Sequence, residues 1–346
     1  MHSLAKFFST RVVMSSHSRH VFQHQCIRQC IVFFSSSSPP EMGKRLTLVE
    51  MAERRAKRVK RKSVNKDDVK EEKSVALFIE GSVRYYHRHY VIVESRSTDP
   101  NSWPPNLEQT PEHILSSYMS ALLKLYDGDI IKARKSPLLM TAAIPYMSMY
   151  SGGLQDEAEK SVKSLQEGAH DVLVFPDALR VHNVIPSQTN GLSDHRVVTS
   201  TVSKLVSKAL EKDFDLVALL ERKNLQYTRM EEGYYMMVCG HAARDERCGC
   251  KGPALLQWLK DLASNAKKPL NLWTSSHYGG HRYAASCIVY PSGDWFGLLN
   301  DKNKAKKMLD AMNDEDPLQV YERWRGRMAL TPQDMHQAVI KRVQGG

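Results

Sequence analysis

No apolar run in the 346 residues approaches the ~18 needed to cross a bilayer, so no membrane span is expected. Cysteine is scarce, at six. That is unlike the dense, paired cysteines of short secreted scaffolds, and a reducing or redox-active intracellular compartment fits better. There is no Gly-x-Ser-x-Gly elbow, no Gly-rich phosphate loop closed by Lys-Ser/Thr, and no His-Glu-x-x-His. The commonest hydrolase, nucleotide-binding and metalloprotease signatures are therefore missing. Nor can any carboxylate pair be assigned to glycoside chemistry from spacing.

Acidic residues are absent from the first 40 positions, where Glu41 is still to come. The same segment carries Lys6, Arg11, Arg19, Arg28 and the serine run Ser35 to Ser38. Basic, serine-rich and acid-free is the composition of an organellar transit peptide, and the continuous apolar core of a secretory signal is missing. Residues 1–40 are thus expected to direct import into mitochondria, with the matrix as destination. If they are removed, Cys26 and Cys30 leave the mature protein. Residues 41–75 read as a basic charged linker centred on Glu53-Arg-Arg-Ala-Lys-Arg-Val-Lys-Arg-Lys62. Most of the net charge of +11 lies in the tail: residues 1–75 hold 16 Lys+Arg against 7 Asp+Glu, leaving 33 against 31 for the rest. Such a run could bind RNA or an acidic protein surface through residues 44–73. No aromatics are interleaved for base stacking, so a solvated linker is the plainer reading.

The remaining chain alternates strand and helix signals, the pattern of α/β layers. Tyr90 to Glu94, Asp171 to Phe175, Tyr234 to Val238 and Leu270 to Trp273 read as strands. Ala284 to Tyr290 and Asp294 to Leu299 read as a strand pair joined by Pro291-Ser-Gly293. Helices are expected at 111–126 behind a Thr110-Pro111 start, at 155–167, and from Val197 to Lys212. Others are expected from Gly252-Pro253 to Lys267, from Asn303 to Met312, and behind a Thr331-Pro-Gln-Asp334 capping box. Asp213 to Glu232 is read as a junction, dividing residues 76–220, an N-terminal α/β domain, from residues 221–346. The second part runs β-α-β-β-β-α and ends in a C-terminal helix, a layout like that of thioredoxin.

The chemically informative stretch is Cys239-Gly-His-Ala-Ala-Arg-Asp-Glu-Arg-Cys248-Gly-Cys250, followed by His277-Tyr-Gly-Gly-His281. Cysteine and histidine are the donors of borderline and soft metals. The two glycines make the second segment a turn rather than a helix, since each weakens a helix by about 1 kcal/mol. Cys239 follows a strand directly, the end at which α/β folds place ligands. Three duller readings stand beside a cluster. A structural zinc site could use the same donors, although zinc knuckles space their cysteines two to four apart. A Cys248-x-Cys250 dithiol could serve thiol exchange. The histidines could also be satisfied core residues.

Taken together, Cys239-x-His-x-x-Arg-Asp-x-Arg-Cys248-Gly, His277-x-Gly-Gly-His281 and Trp324-Arg-Gly326 resemble the sucrase/ferredoxin-like family, from about Tyr86 to Val343. The resemblance implies two thioredoxin-like α/β domains, the C-terminal one a thioredoxin-like ferredoxin. It also implies a [2Fe–2S] cluster held by Cys239, Cys248, His277 and His281. Histidine in place of thiolate raises the reduction potential, as in Rieske centres, and leaves a second nitrogen that can carry a proton. His241, Arg244, Asp245 and Arg247 are then expected around the ligands, fixing the loop and screening charge. Cys250 is an alternative to Cys248 as second thiolate, and Cys287 reads as a small buried apolar residue. After Trp324-Arg325-Gly326 the chain continues Arg-Met-Ala329 where a second glycine would be expected.

The implied function is mitochondrial electron transfer to or from a partner protein, rather than turnover of a small substrate of its own. The other reading is a structural or assembly component of a large mitochondrial (ribonucleo)protein complex, with a structural or vestigial metal site.

Overall fold

The computed structural model describes residues 79–95, 98–148, 169–185 and 201–345. The expected transit peptide, the basic run at 44–73 and the helix expected at 155–167 lie outside them. Ten strands form one mixed sheet, in the order β10-β9-β8-β6-β7-β2-β1-β3-β4-β5. The protein is a mixed α/β fold, with seven helices among the described residues.

The sheet is built from one arrangement used twice. In the first half come β1 (Arg88–Val93), α1 (Ile114–Leu125), α2 (Ile130–Arg134) and β2 (Leu138–Ser148). They are followed by β3 (His170–Phe175), β4 (Leu179–Val184), α3 (Thr201–Ala209), α4 (Leu216–Arg222) and β5 (Tyr227–Arg229). The second half has β6 (Tyr234–Cys239), α5 (Glu246–Asp261), β7 (Leu270–Ser275), β8 (Cys287–Tyr290), β9 (Asp294–Phe296), α6 (Lys302–Asn313) and β10 (Trp324–Arg327). Helix α7 (Pro332–Gly345) closes the chain. In each half the first strand pairs in parallel with the second and antiparallel with the third. The fourth strand runs antiparallel to the third, and a short edge strand completes the set. Antiparallel pairing of β2 with β7 joins the halves, with Ala143 opposite Ser275.

Helices cover both faces, so β1, β3, β6 and β7 are buried almost throughout and read as apolar runs without a period of two. Along β1 the faces separate: Tyr90 and Ile92 join a core with α1, α3 and α4, while Val91 joins one with α5 and α6. That second core also takes in Leu139, Ala143, Leu173 and Phe175 from the first half.

Local starts differ from the expected ones where a side chain caps better than proline does. Helix α1 begins at Ile114, because His113 Nδ1 accepts the Leu115 amide at 3.1 Å while its other nitrogen is held by Glu94 at 2.7 Å. Helix α5 begins at Glu246 behind the Asp245 cap, which leaves Pro253 inside it. The segment Asp213 to Glu232 holds α4 and β5. Helix α7 does open on a reciprocal box: the Asp334 amide donates to Thr331 Oγ1, and the Thr331 amide to the Asp334 carboxylate.

Two buried polar centres fix the sheet. Asp294, fully buried, accepts from Trp324 Nε1 at 2.7 Å and from Arg327 Nε at 2.8 Å, pinning β10 to β9. His89, also fully buried, bridges Tyr290 Oη at 2.6 Å and Thr141 Oγ1 at 2.9 Å.

Asp294→Ala strands the Trp324 and Arg327 donors and should cost on the order of 3 kcal/mol in urea unfolding. Burial lowers the His89 imidazole to about 3, from the 6.5 of an exposed histidine. The unfolded chain therefore takes up a proton that the fold refuses. Stability is full above pH 6.5 and declines as pH falls from there toward 3, by about 1.4 kcal/mol per unit. The difference in unfolding free energy between wild type and His89→Gln should show this slope across that window.

Candidate metal centre

The parallel register of β6 on β7 ends with Cys239 opposite Ser275, so both chains leave the sheet at the same end. From there β6 turns into the loop leading to α5, and β7 runs through Ser276 into His277. Helix α5 lies back on the strand end: a Cβ at 252 would meet the Cys239 carbonyl, and one at 249 would meet Ala242. That close approach puts Cys248, in the first turn of α5, beside Cys239.

Cys239 Sγ, Cys248 Sγ and a His277 ring nitrogen lie within 4.8 Å of one another, as a group of metal-type donors among the described residues. His277 Nδ1 is 3.7 Å from Cys239 Sγ and 4.0 Å from Cys248 Sγ. Both cysteines are buried, and two soft sulfurs with one imidazole suit a borderline or soft metal. The Cys239 thiol donates to Cys248 and, with His277, brings the Cys248 thiol down to about 5. The same pairing and burial push Cys239 well up. The helix N-terminus favours negative charge at the same place.

His281 stands at the rim, its side chain 47% exposed. Its ring stacks on His277 with centroids 5.5 Å apart, and its Nδ1 is 3.6 Å from Asp245. The turn between the two rings needs its glycines, since Gly279 and Gly280 have φ of 101° and 75°. Cys250, buried on the same helix, is outside the three-donor group.

Surrounding residues hold the loops. His241 accepts the His277 amide at Nδ1 (3.4 Å) and donates from Nε2 to the Pro104 carbonyl (3.0 Å), so both nitrogens are engaged. Arg244 donates to the Pro105 carbonyl and to Asn106. Asp245 caps α5 and takes two bonds from the Arg247 guanidinium, at 2.9 and 2.8 Å, which lower its carboxyl and raise Arg247.

Two participants gave no signal in the sequence, and a third gave only a partial one. Tyr278 Oη accepts the Cys239 amide at 3.1 Å and donates to the Ser286 carbonyl at 2.8 Å. The Trp103–Asn106 loop of the first half supplies the carbonyls that hold His241 and Arg244. Arg325 is buried under the glycine turn, where a Cβ at 280 would meet its guanidinium. It packs on Tyr283 and Trp295, donates to Ser82, and has no partner for Nη1 among the described residues. The Trp324-Arg-Gly motif hinted at Arg325 but not at its contacts. Cys287 is fully buried in the core, and burial pushes its thiol up.

A family model described as sucrase/ferredoxin-like matches residues 79–326. Among curated proteins, "Altered inheritance of mitochondria protein 32" of Kluyveromyces lactis is 24% identical over 64% of this chain and 65% of its own length. The protein of the same name from Saccharomyces kudriavzevii is 26% identical over 71% of this chain and 79% of its own length. "Actin patches distal protein 1" of Saccharomyces cerevisiae is 28% identical over 27% of this chain and 32% of its own length. The match to the first two curated relatives spans 65% and 52% of their lengths. No solved structure matches.

Elemental analysis of purified variants tests the donor set. Cys239→Ala, Cys248→Ala and His277→Ala should each lose bound metal, whereas Cys250→Ala should keep it. His241→Ala, which frees the His277 amide, should weaken retention by about 10- to 100-fold.

Proposed function

Because the chain belongs to the sucrase/ferredoxin-like family, we propose that it is a mitochondrial electron-transfer protein in which Cys239, Cys248, His277 and His281 hold a [2Fe–2S] cluster. The observation that carries this reading is the meeting of two cysteine sulfurs and an imidazole within 4.8 Å, with a second imidazole stacked on the first. Such a cluster supplies the ability to take up and give back one electron. The chain's own groups do the rest. Thiolates on one side and neutral imidazoles on the other carry less negative charge than four thiolates, which favours a higher potential. Cys239 and Cys248 are buried, which keeps water from the sulfurs, while the exposed His281 edge offers a short path to a docked redox partner. Mitochondrial association is supported by the names of the relatives and by the basic, acid-free composition of residues 1–40.

Protein purified without oxygen should be coloured, contain iron and acid-labile sulfide in equal amounts, and give a low-temperature EPR signal on one-electron reduction. Colourless protein containing zinc would overturn the reading. His281→Cys should retain iron and lower the midpoint potential by about 100 mV or more. An unchanged potential would remove His281 from the ligand set.

A further inference from the structure

A row of polar aromatic side chains runs through the core away from the metal centre. The face of Tyr278 meets Trp295 edge-on, with centroids 5.0 Å apart at 78°. Trp295 Nε1 donates to Tyr86 Oη at 2.6 Å, and the two rings are 5.9 Å apart. Tyr86 Oη is 3.4 Å from Tyr290 Oη, which is 2.6 Å from His89 Nδ1. His89 Nε2 is 2.9 Å from Thr141 Oγ1. Tyr86, His89, Thr141 and Tyr290 are completely buried, and Trp295 almost so.

One assignment of hydrogens satisfies the whole row. The indole N–H must donate to Tyr86, so Tyr86 donates to Tyr290 and Tyr290 to His89 Nδ1, while Nε2–H donates to Thr141. Every donation points the same way, and the Tyr290 hydroxyl is aimed at the Nδ1 lone pair of a neutral imidazole. Burial holds His89 neutral, at about 3, so that lone pair is available in the resting protein. Phenylalanine and leucine could fill these positions without burying any of these atoms.

We propose that Tyr290 and His89 form a redox-active tyrosine–histidine pair, reached from the Tyr278–Trp295 end, that accepts oxidising equivalents from peroxide-derived one-electron oxidants. Tyr290 gives up one electron through Tyr86 to a hole on Trp295, and the oxidant is reduced. The Tyr290 O–H bond breaks, and its proton moves to His89 Nδ1. The products are a neutral phenoxyl radical and an imidazolium that still donates through Nε2 to Thr141. A phenol that has lost an electron is a far stronger acid than any imidazolium, so this transfer runs downhill. Trp295 is a transit point, because the Arg325 guanidinium 5.1 Å from its ring disfavours a lasting positive charge. Phe175, stacked on Tyr290 at 3.7 Å, shields the far face of the phenol.

The pair stands independently of the cluster reading, and the test separates them. The full chain as purified is oxidised by flash-quench with photoexcited ruthenium tris-bipyridine and persulfate, frozen and examined by EPR. A tyrosyl radical is expected, and electron–nuclear double resonance on wild type should resolve an exchangeable proton and an imidazole nitrogen coupled to it. Tyr290→Phe, which keeps the ring on Phe175, should lose that signal, and His89→Gln should shorten its lifetime. Circular dichroism verifies that both variants fold. A signal unchanged in folded Tyr290→Phe would overturn the proposal. A wild-type radical without nitrogen coupling would do the same, even where a variant does not fold. Formation of this radical in colourless, zinc-containing protein would leave the pair in place while the cluster reading falls.

Discussion

Helix α5 can rest on the end of β6 only because residue 252 has no side chain. A methyl group there would occupy the space of the Cys239 carbonyl oxygen, and one at 249 would press into Ala242. Neither glycine has a positive φ, so the requirement is for room and not for unusual backbone. Each costs the helix about 1 kcal/mol of intrinsic propensity. In return the first turn is drawn against the strand, and the Cys248 sulfur arrives beside that of Cys239. The Asp245 cap then fixes where the turn starts, and the same carboxylate, 3.6 Å from His281, ties the histidine turn to the helix. Once α5 is seated, the parallel partner β7 has a single place to deliver His277.

The two halves share their strand plan yet differ at this strand end. Val93 ends β1 opposite Ala143, as Cys239 ends β6 opposite Ser275. In the first half the next residue is Glu94, closed off by Trp103 Nε1 at 3.0 Å and His113 at 2.7 Å. There a carboxylate holds the imidazole of His113 that caps α1, where the second half assembles sulfurs and imidazole. The first half contributes to the metal centre through the loop after β1, whose carbonyls hold His241 and Arg244, and through Ala142 of β2, which binds Ser276 just before His277. It therefore serves as a wall for the site.

Much of this was legible in the residues, for identifiable reasons. Strands covered on both faces leave apolar runs, so β1, β3, β6 and β7 could be read directly. Strand β2, which makes the join, could not: Ala142, Ala143 and Pro145 carry little strand preference, and only pairing with β1 and β7 keeps them extended. Proline misled twice, at Pro111 and Pro253, because His113 and Asp245 offer real acceptors for the first helical amides. At the site, cysteine and histidine stand out by type and spacing. Tyr278, the Pro104 carbonyl and the packing of Arg325 have no such mark, since their parts depend on backbone atoms and on burial that a linear pattern does not carry.

Arg325 connects the metal centre to the polar row in the core. Its guanidinium fills the space beneath Gly280, lies 4.7 Å from the Tyr283 ring, and sits over Trp295 at 5.1 Å. Burial lowers it only to about 10, so it remains a cation at neutral pH, with aromatic faces standing in for part of the lost water. A fixed positive charge between the histidine turn and Trp295 acts on both with opposite sense. It favours negative charge gathered at the Cys239 side and opposes positive charge on the indole. The same side chain that supports the turn thus separates a region suited to holding an added electron from a row suited to passing on a missing one. That separation follows from the position of one guanidinium, which meets Gly280, Tyr283 and Trp295 together.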